Sequence, residues 1–166
     1  MEQTHILNLR INANKCTACK ACELACSFNK EGVFAPSLSR IRVVQLHDAG
    51  MNVPVACTNC ADAPCISACP TGAIFRDAAV PVVRINEEDC IGCSACVLAC
   101  PFGAVDMNEE RGVAIMCDLC GGNPTCVKHC IYGALEFDRN ATTAQNKRIA
   151  EAYRVAARYQ HGEGRQ

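Results

Sequence analysis

Sixteen cysteines in four similarly spaced quartets constrain this 166-residue chain more than any other feature. Every quartet begins with Cys-x2-Cys and ends with x3-Cys, and only the gap between its second and third cysteines varies, from two residues to five. No cysteine is left over, so a separate nucleophilic thiol is not indicated. The four groups are Cys16, Cys19, Cys22 and Cys26; Cys57, Cys60, Cys65 and Cys69; Cys90, Cys93, Cys96 and Cys100; and Cys117, Cys120, Cys126 and Cys130.

The residues that follow the quartets repeat as well. A Gly-Ala-aliphatic segment starts three residues past the last cysteine of groups two, three and four, at Gly72, Gly103 and Gly133. Glycine at this point allows a tight turn, and the aliphatic residue is expected to begin a short strand. Internal similarity of this kind indicates one structural unit that is used several times.

The hydrophobic pattern between the quartets predicts short elements. Strands are expected at residues 6–11, 82–86 and 113–116, and the x3 stretch before each fourth cysteine predicts one helical turn, which proline ends in groups two and three. Residues 27–56 are interpreted as an inserted β-hairpin on the surface, with strands at 40–46 and 51–56. Residues 142–160 have helical character and predict a C-terminal helix that packs on the domain or lies along a partner.

Cysteine quartets of this kind are typical of iron–sulfur sites, because thiolates are the soft ligands that such clusters need. Three cysteines on one tight loop can reach three irons of a cube, and the fourth iron needs a ligand from elsewhere. In bacterial ferredoxin sequences the fourth cysteine of each group crosses to the neighbouring cluster. The quartets therefore predict four [4Fe–4S] clusters, and folding is expected to depend on their insertion.

Two other uses of cysteine remain as alternatives. Zinc sites usually consist of two short cysteine pairs separated by a longer stretch, and zinc does not require the x3-Cys-Pro endings seen here. A disulfide framework would suit a small secreted protein, but the N-terminal residues have no basic start, long apolar run or cleavage site. We therefore expect a cytoplasmic protein with reduced thiols. The four histidines stand at no vacant ligand position.

The net charge of the protein indicates which partner surfaces it can dock on. An oxidised [4Fe–4S] core with four thiolates has a net charge of about −2, so four such sites would change the formal charge of −1 to about −9. A strongly negative protein is expected to dock on basic surfaces of partner proteins, and nucleic-acid binding is not expected. No stretch reaches the ~18 apolar residues of a membrane-spanning helix.

The quartets and their flanks resemble the four-cluster, ferredoxin-like electron-transfer subunits of dimethyl sulfoxide reductase, formate dehydrogenase and hydrogenase-type enzymes. The stretch from Cys22 to Cys26, followed by Glu31, Gly32 and residues 36–42, is most similar to the iron–sulfur subunit associated with tungsten aldehyde oxidoreductases. The resemblance implies an α+β fold of two bacterial-ferredoxin-like dicluster modules with short strands and helical turns, plus an inserted hairpin and a C-terminal helix.

The same resemblance implies the domain organisation and the ligands. Residues 1–138 would form the four-cluster domain, with an outer module from groups one and four, an inner module at 57–105, the inserted hairpin at 27–56 and a helical tail at 139–166. Groups pair one with four and two with three in this family. Carried over, the ligand sets are Cys16, Cys19, Cys22 and Cys130 for cluster 1; Cys26, Cys117, Cys120 and Cys126 for cluster 2; Cys57, Cys60, Cys65 and Cys100 for cluster 3; and Cys69, Cys90, Cys93 and Cys96 for cluster 4.

The predicted function is electron transfer in anaerobic metabolism, because no catalytic group or nucleotide loop is visible beside the cysteines. The chain is expected to relay electrons between a catalytic oxidoreductase subunit, containing tungsten or molybdenum, and a second redox subunit or soluble acceptor. One alternative is a free polyferredoxin that serves a carbon monoxide dehydrogenase, a hydrogenase or a formate dehydrogenase. Another is a cofactor-maturation or redox-sensing protein. Clusters exposed at both ends would also permit head-to-tail self-association.

Overall fold

The computed structural model describes residues 7–138, which form an α+β fold of short elements. Its strands pair into four separate two-stranded antiparallel sheets within that range. The strands are β1 (Asn8–Ile11), β2 (Ile41–Leu46), β3 (Met51–Ala56), β4 (Ile74–Arg76), β5 (Val83–Ile85), β6 (Val105–Asn108), β7 (Val113–Met116) and β8 (Leu135–Asp138). The helices are α1 (Ala21–Glu31), α2 (Pro64–Ser67), α3 (Ala95–Ala99) and α4 (Thr125–Lys128), and 3-10 turns lie at Ala13–Lys15, Pro36–Leu38, Glu87–Asp89 and Leu119–Gly122.

Strand pairing and helix packing bring distant cysteine groups together. Three of the sheets are hairpins of consecutive strands, whereas the fourth joins β1 to β8, with Leu9 opposite Phe137. Helix α1 packs against α4, and α2 packs against α3. Group one therefore lies beside group four, and group two lies beside group three.

Most predicted elements are confirmed. The strand expected at 113–116 is β7, and β5 lies inside the expected 82–86. The aliphatic residues after three of the quartets begin β4, β6 and β8, each shortly after a glycine with positive φ. The hairpin strands at 40–46 and 51–56 correspond to β2 and β3. Of the strand expected at 6–11, residues 8–11 form β1 and residue 6 lies outside the described residues, as does the predicted tail at 139–166.

The helix of group one differs from the prediction. One turn was expected before each fourth cysteine, and α2, α3 and α4 agree, but α1 has 11 residues and continues past Cys26. Group one lacks the proline that follows the last cysteine in groups two and three, so α1 can continue; group four lacks it as well, yet α4 ends at Lys128, so the missing proline permits the longer helix without requiring it. Ser27 continues the helix instead, and its hydroxyl donates to Leu24 O at 3.1 Å. The helix ends at Gly32, whose left-handed conformation places its N–H on Phe28 O.

The buried side chains form two cores. The first core contains Leu9, Ile41, Val82, Leu119 and Leu135 together with cysteines of groups one and four. The second core contains Ile74, Val83, Val105, Ala114 and Met116 together with cysteines of groups two and three. Since Val82 belongs to one core and the next residue to the other, the start of β5 lies at the seam between them.

The hairpin is less superficial than predicted. Ile41 and Ala56, at its base, are only 1% and 4% exposed and belong to the first core. Its tip is open to solvent, where Leu46 and Met51 are exposed. The base is buried because it packs against the apolar residues beside groups one and four. Among residues 7–138, no helix combines the length and apolarity needed to cross a membrane.

Candidate metal centres

Three cavities are each lined by four cysteines that come from two different groups. They contain nearly equal amounts of space free of protein atoms, about 320, 310 and 330 Å³, part of which is open to solvent. Apolar side chains form most of the remaining walls. The cysteines are Cys16, Cys19, Cys22 and Cys130 in the first cavity, Cys69, Cys90, Cys93 and Cys96 in the second, and Cys57, Cys60, Cys65 and Cys100 in the third.

The remaining four cysteines are also neighbours. Cys26, Cys117 and Cys126 are buried together in the first core. Burial, together with repulsion from the thiolates of Cys126 and Cys26, raises the pKa of Cys117 well above its ordinary range. Burial and repulsion from the thiolates of Cys26 and Cys120 likewise raise the pKa of Cys126 to about 12. The structure thus brings the last cysteine of group one among the first three of group four.

The cysteine loops share one backbone feature. The residue before the second cysteine of each group has a positive φ, although only one of the four is glycine: Ala18 (55°), Asn59 (48°), Gly92 (70°) and Leu119 (53°). L-residues rarely adopt this conformation, so its recurrence indicates a shared requirement of the site. Left-handed residues within a turn direct successive backbone N–H groups to one side, which creates a concavity for negative charge. The third cysteine of each loop then lies in a helix, at Cys22, Cys65, Cys96 and Cys126.

Backbone N–H groups also donate directly to cysteine sulfurs. Such bonds run from Asn59 N to Cys57 Sγ at 3.4 Å, from Arg40 N to Cys26 Sγ at 3.3 Å, and from Ala104 N to Cys100 Sγ at 3.4 Å. An N–H that points at a thiolate stabilises its negative charge. In iron–sulfur proteins these bonds adjust the reduction potential of the cluster.

Side chains add further contacts to sulfur, and sequence reasoning missed them. Asn29 Nδ2 donates to Cys120 Sγ at 3.6 Å across 91 residues of sequence. No local pattern could have indicated it, because α1 and group four meet only in the folded chain. The hydroxyl of Thr58 lies 3.2 Å from Cys60 Sγ. Thr58 and Cys60 are two residues apart in the same loop. This contact could therefore have been predicted from the sequence.

The raised pKa values of the buried thiols agree with a site that binds a metal cluster. Burial, with neighbouring thiolates as a further cause, raises the pKa of both Cys22 and Cys57 to about 11. The thiols of Cys22 and Cys57 therefore remain protonated near neutral pH unless positive charge is bound beside them. Iron supplies that charge and displaces the protons, which couples metal binding to the ordering of these loops.

The cysteines do not converge as ligands of a single ion would. Within residues 7–138, no group of three or more His, Cys, Asp or Glu side chains is placed to hold one metal ion. A [4Fe–4S] cluster binds each thiolate to a different iron, so its ligands stand around a cube and not around a point.

Two lysine side chains lie beside one of the cavities. Lys15 and Lys20, which flank cysteines of group one in the sequence, line the cavity of Cys16. A positive charge there would raise the potential of a bound cluster, which stays a prediction. His129 is exposed, and its Nδ1 lies 3.0 Å from Thr125 O in the same helical turn. His47 is exposed at the hairpin, and the other two histidines lie outside the described residues.

Comparison with known proteins agrees with this geometry. Residues 49–140 match the 4Fe-4S dicluster domain family. Over 120 residues the chain is 48% identical to the aliphatic sulfonate oxidoreductase polyferredoxin-like subunit of Pyrococcus furiosus, and the match covers 72% of this chain and 69% of that protein. It is 36% identical over 140 residues to the thiosulfate reductase electron transfer subunit PhsB of Salmonella typhi, covering 75% of this chain and 71% of the other.

A third relative is one polypeptide of the anaerobic dimethyl sulfoxide reductase of Escherichia coli, with 36% identity over 147 residues, 76% of this chain and 70% of the other. The name of the first relative describes a polyferredoxin-like subunit of an oxidoreductase, and the name of the second describes an electron transfer subunit of a reductase. The match to the family includes three of the four cysteine quartets. The match to the first relative covers most of this chain. The chain therefore belongs to the 4Fe–4S dicluster family, and it is an iron–sulfur electron-transfer subunit of oxidoreductase complexes that has cysteines for four [4Fe–4S] clusters.

Proposed function

We propose that this chain relays electrons one at a time between a catalytic oxidoreductase subunit and a second redox partner, through four clusters held in a fixed order. When bound, each cluster accepts and releases an electron, and the protein holds it in place and adjusts its potential. The proposed ligand sets are Cys16, Cys19, Cys22 and Cys130; Cys26, Cys117, Cys120 and Cys126; Cys57, Cys60, Cys65 and Cys100; and Cys69, Cys90, Cys93 and Cys96.

The observation that carries this proposal is the mixed origin of the cavity walls. Each of the three cavities combines three cysteines of one group with the last cysteine of another, as Cys57, Cys60 and Cys65 do with Cys100. An exchange of the fourth ligand between two neighbouring sites ties each pair of sites together. It also keeps the two sites of a pair close, which favours electron transfer between them.

Electrostatic interactions between cysteines of different sets, together with one shared helix, support a linear order. The thiolates of Cys22 and Cys126 interact electrostatically, which makes clusters 1 and 2 neighbours. Those of Cys57 and Cys117 also interact, which makes clusters 2 and 3 neighbours. Clusters 3 and 4 share helix α3, because Cys96 lies in it and Cys100 caps it. These three observations support the order 1, 2, 3, 4.

Paired ligand substitutions test the assignment. Cys57→Ser and Cys100→Ser should each perturb the electron paramagnetic resonance (EPR) signal of the same cluster, although the two residues belong to different groups. Cys69→Ser should instead perturb the signal that Cys90→Ser perturbs. If Cys100→Ser changed the same signal as Cys90→Ser, each group would hold its own cluster, and the exchanged assignment would be wrong.

The catalytic partner is proposed from the resemblance, which favours a tungsten or molybdenum oxidoreductase. Purification of the native complex under anaerobic conditions, with metal analysis, tests this. A stoichiometric complex with either metal would support the subunit role, whereas a lone monomer would support a free polyferredoxin. The mass of the assembly also reports head-to-tail self-association.

Deletion of residues 140–166 should weaken partner association and leave the iron content unchanged if the tail contacts the partner.

A further inference from the structure

Asn59 has a buried amide group that is only half satisfied. Its side chain is fully buried, and its Oδ1 accepts a hydrogen bond from Val83 N at 2.8 Å. Its Nδ2 is also buried, but it has no hydrogen-bond partner among the described residues. The assignment of oxygen and nitrogen is not ambiguous here, because the backbone N–H of Val83 requires an acceptor. A buried N–H donor without an acceptor destabilises a fold, so a retained one points to a partner that binds there.

The loop itself does not require asparagine at this position. The equivalent residues in the other three loops are Ala18, Gly92 and Leu119, and all three have the same left-handed backbone conformation as Asn59. The conformational preference of asparagine therefore does not account for its side chain. The bond to Val83 uses only the oxygen, and the amide nitrogen remains unexplained by the protein alone.

Asn59 lies where the two halves of the structure meet. It stands between Cys57 and Cys60, and its own backbone N–H donates to Cys57 Sγ at 3.4 Å. Its acceptor bond reaches β5 at the seam where Val82 enters the first core and Val83 the second. The thiolate of Cys57 interacts electrostatically with that of Cys117, which belongs to the neighbouring proposed site. Asn59 thus lies between cysteines of two neighbouring proposed sites, yet none of their sulfurs accepts a hydrogen bond from its Nδ2.

We propose that Asn59 Nδ2 donates a hydrogen bond to an inorganic sulfur of a cluster bound at the site of Cys57 or at that of Cys117, and thereby raises the reduction potential of that cluster. This inference rests on the proposed ligand sets. The bond is stronger in the reduced state, because reduction adds negative charge to the sulfurs. Asn59 is therefore a positioning residue: it acts on electron transfer between the two halves through the potential of the cluster and does not itself carry the electron.

A matched pair of substitutions tests the effect on potential. Asn59→Ala removes the donor, and alanine already occupies the equivalent position at residue 18. Asn108→Ala is the control, because Asn108 is also a buried asparagine whose Oδ1 accepts a backbone N–H, that of Arg111 at 3.0 Å. In EPR-monitored titrations, Asn59→Ala should lower one of the four midpoint potentials by at least a tenfold change in the reduction equilibrium, about 59 mV for a one-electron couple. The cluster whose potential falls identifies the acceptor, and the control should leave all four potentials unchanged.

A spectroscopic measurement on the asparagine itself can overturn the inference even if Asn59→Ala fails to assemble. Protein labelled with ¹⁵N only in asparagine side chains is prepared in an Asn29→Ala background, which removes the side-chain amide that donates to Cys120 Sγ. Pulsed EPR of the reduced protein should detect a ¹⁵N coupling to a cluster, and this coupling should disappear when Asn59 is also replaced. Absence of the coupling, or unchanged potentials in a fully loaded Asn59→Ala protein, would overturn the inference.

The outcomes for the two proposals are distinguishable. Loss of the predicted shared signal between Cys57→Ser and Cys100→Ser would contradict the ligand sets, whatever Asn59 does. Four clusters with the proposed ligands but no asparagine coupling would contradict only the role of Asn59.

Discussion

Replacement of Gly92 by alanine should selectively damage the site of Cys69, Cys90, Cys93 and Cys96. Gly92 lies between the first two cysteines of group three and lines that cavity, with a φ of +70°. A Cβ atom at this position would lie 2.4 Å from the backbone oxygen of Gly112, in the β6–β7 turn. That oxygen is main chain, so it cannot move aside as the end of a flexible side chain could.

The loss of stability expected for Gly92→Ala has two parts. The left-handed conformation costs an L-residue roughly 1–2 kcal/mol. To restore an ordinary contact of 3.4 Å from 2.4 Å, the two backbone segments must separate by 1.0 Å. Overpacking of this kind typically costs a further 1–3 kcal/mol. The total is about 2–5 kcal/mol, and it falls directly on the loop that positions Cys90 and Cys93.

Gly103 provides the matched control. Its φ is +59°, but a Cβ atom there would meet nothing within 4 Å. Gly103→Ala should therefore cost only the conformational part, about 1–2 kcal/mol. The measurement is the denaturant concentration at which iron–sulfur absorbance is lost, together with iron per chain and the EPR signal of each cluster. Gly92→Ala should show a clearly lower midpoint than Gly103→Ala and specific loss of one signal, and equal midpoints with four intact signals would refute the steric reasoning.

Three further predictions concern contacts that only the folded chain creates. Glu23 is 4% exposed and its Oε1 accepts the N–H of Val43 at 2.6 Å, so Glu23→Ala should lower stability by about 1–3 kcal/mol, whereas Glu23→Gln should retain most of it, as measured by denaturation of the loaded protein. Asn29→Ala should lower the midpoint potential of the cluster that Cys120 is proposed to bind and no other, and an unchanged potential in EPR titration would contradict a role for this bond. Arg111 pairs with carboxylates on α1 and on the 3-10 turn before group three, and its guanidinium is well exposed. Arg111→Ala should therefore lower the denaturation midpoint less than Glu23→Ala does. This decrease should become smaller in high salt, because salt screens exposed charges.

The cysteine spacing itself predicted the chemistry of this protein. The x2 and x3 spacings are local, so they place neighbouring sulfurs on one loop or one helical turn whatever the rest of the chain does. The strand after each glycine turn and the β2–β3 hairpin could be predicted for the same reason, because they depend on residues close in sequence. The family followed from these repeats, and the comparisons support it.

Contacts between distant segments required the tertiary structure. The residues alone left open which groups lie side by side, and the pairing of β1 with β8 and the packing of α1 on α4 decide it. The burial of Ile41 at the base of the hairpin, the bond from Asn29 to Cys120 and the half-satisfied amide of Asn59 have no local pattern either. Local spacing determines which atoms can bind iron, because the chain geometry is short-ranged. Packing determines which donors surround those atoms, because those donors come from segments that meet only after folding.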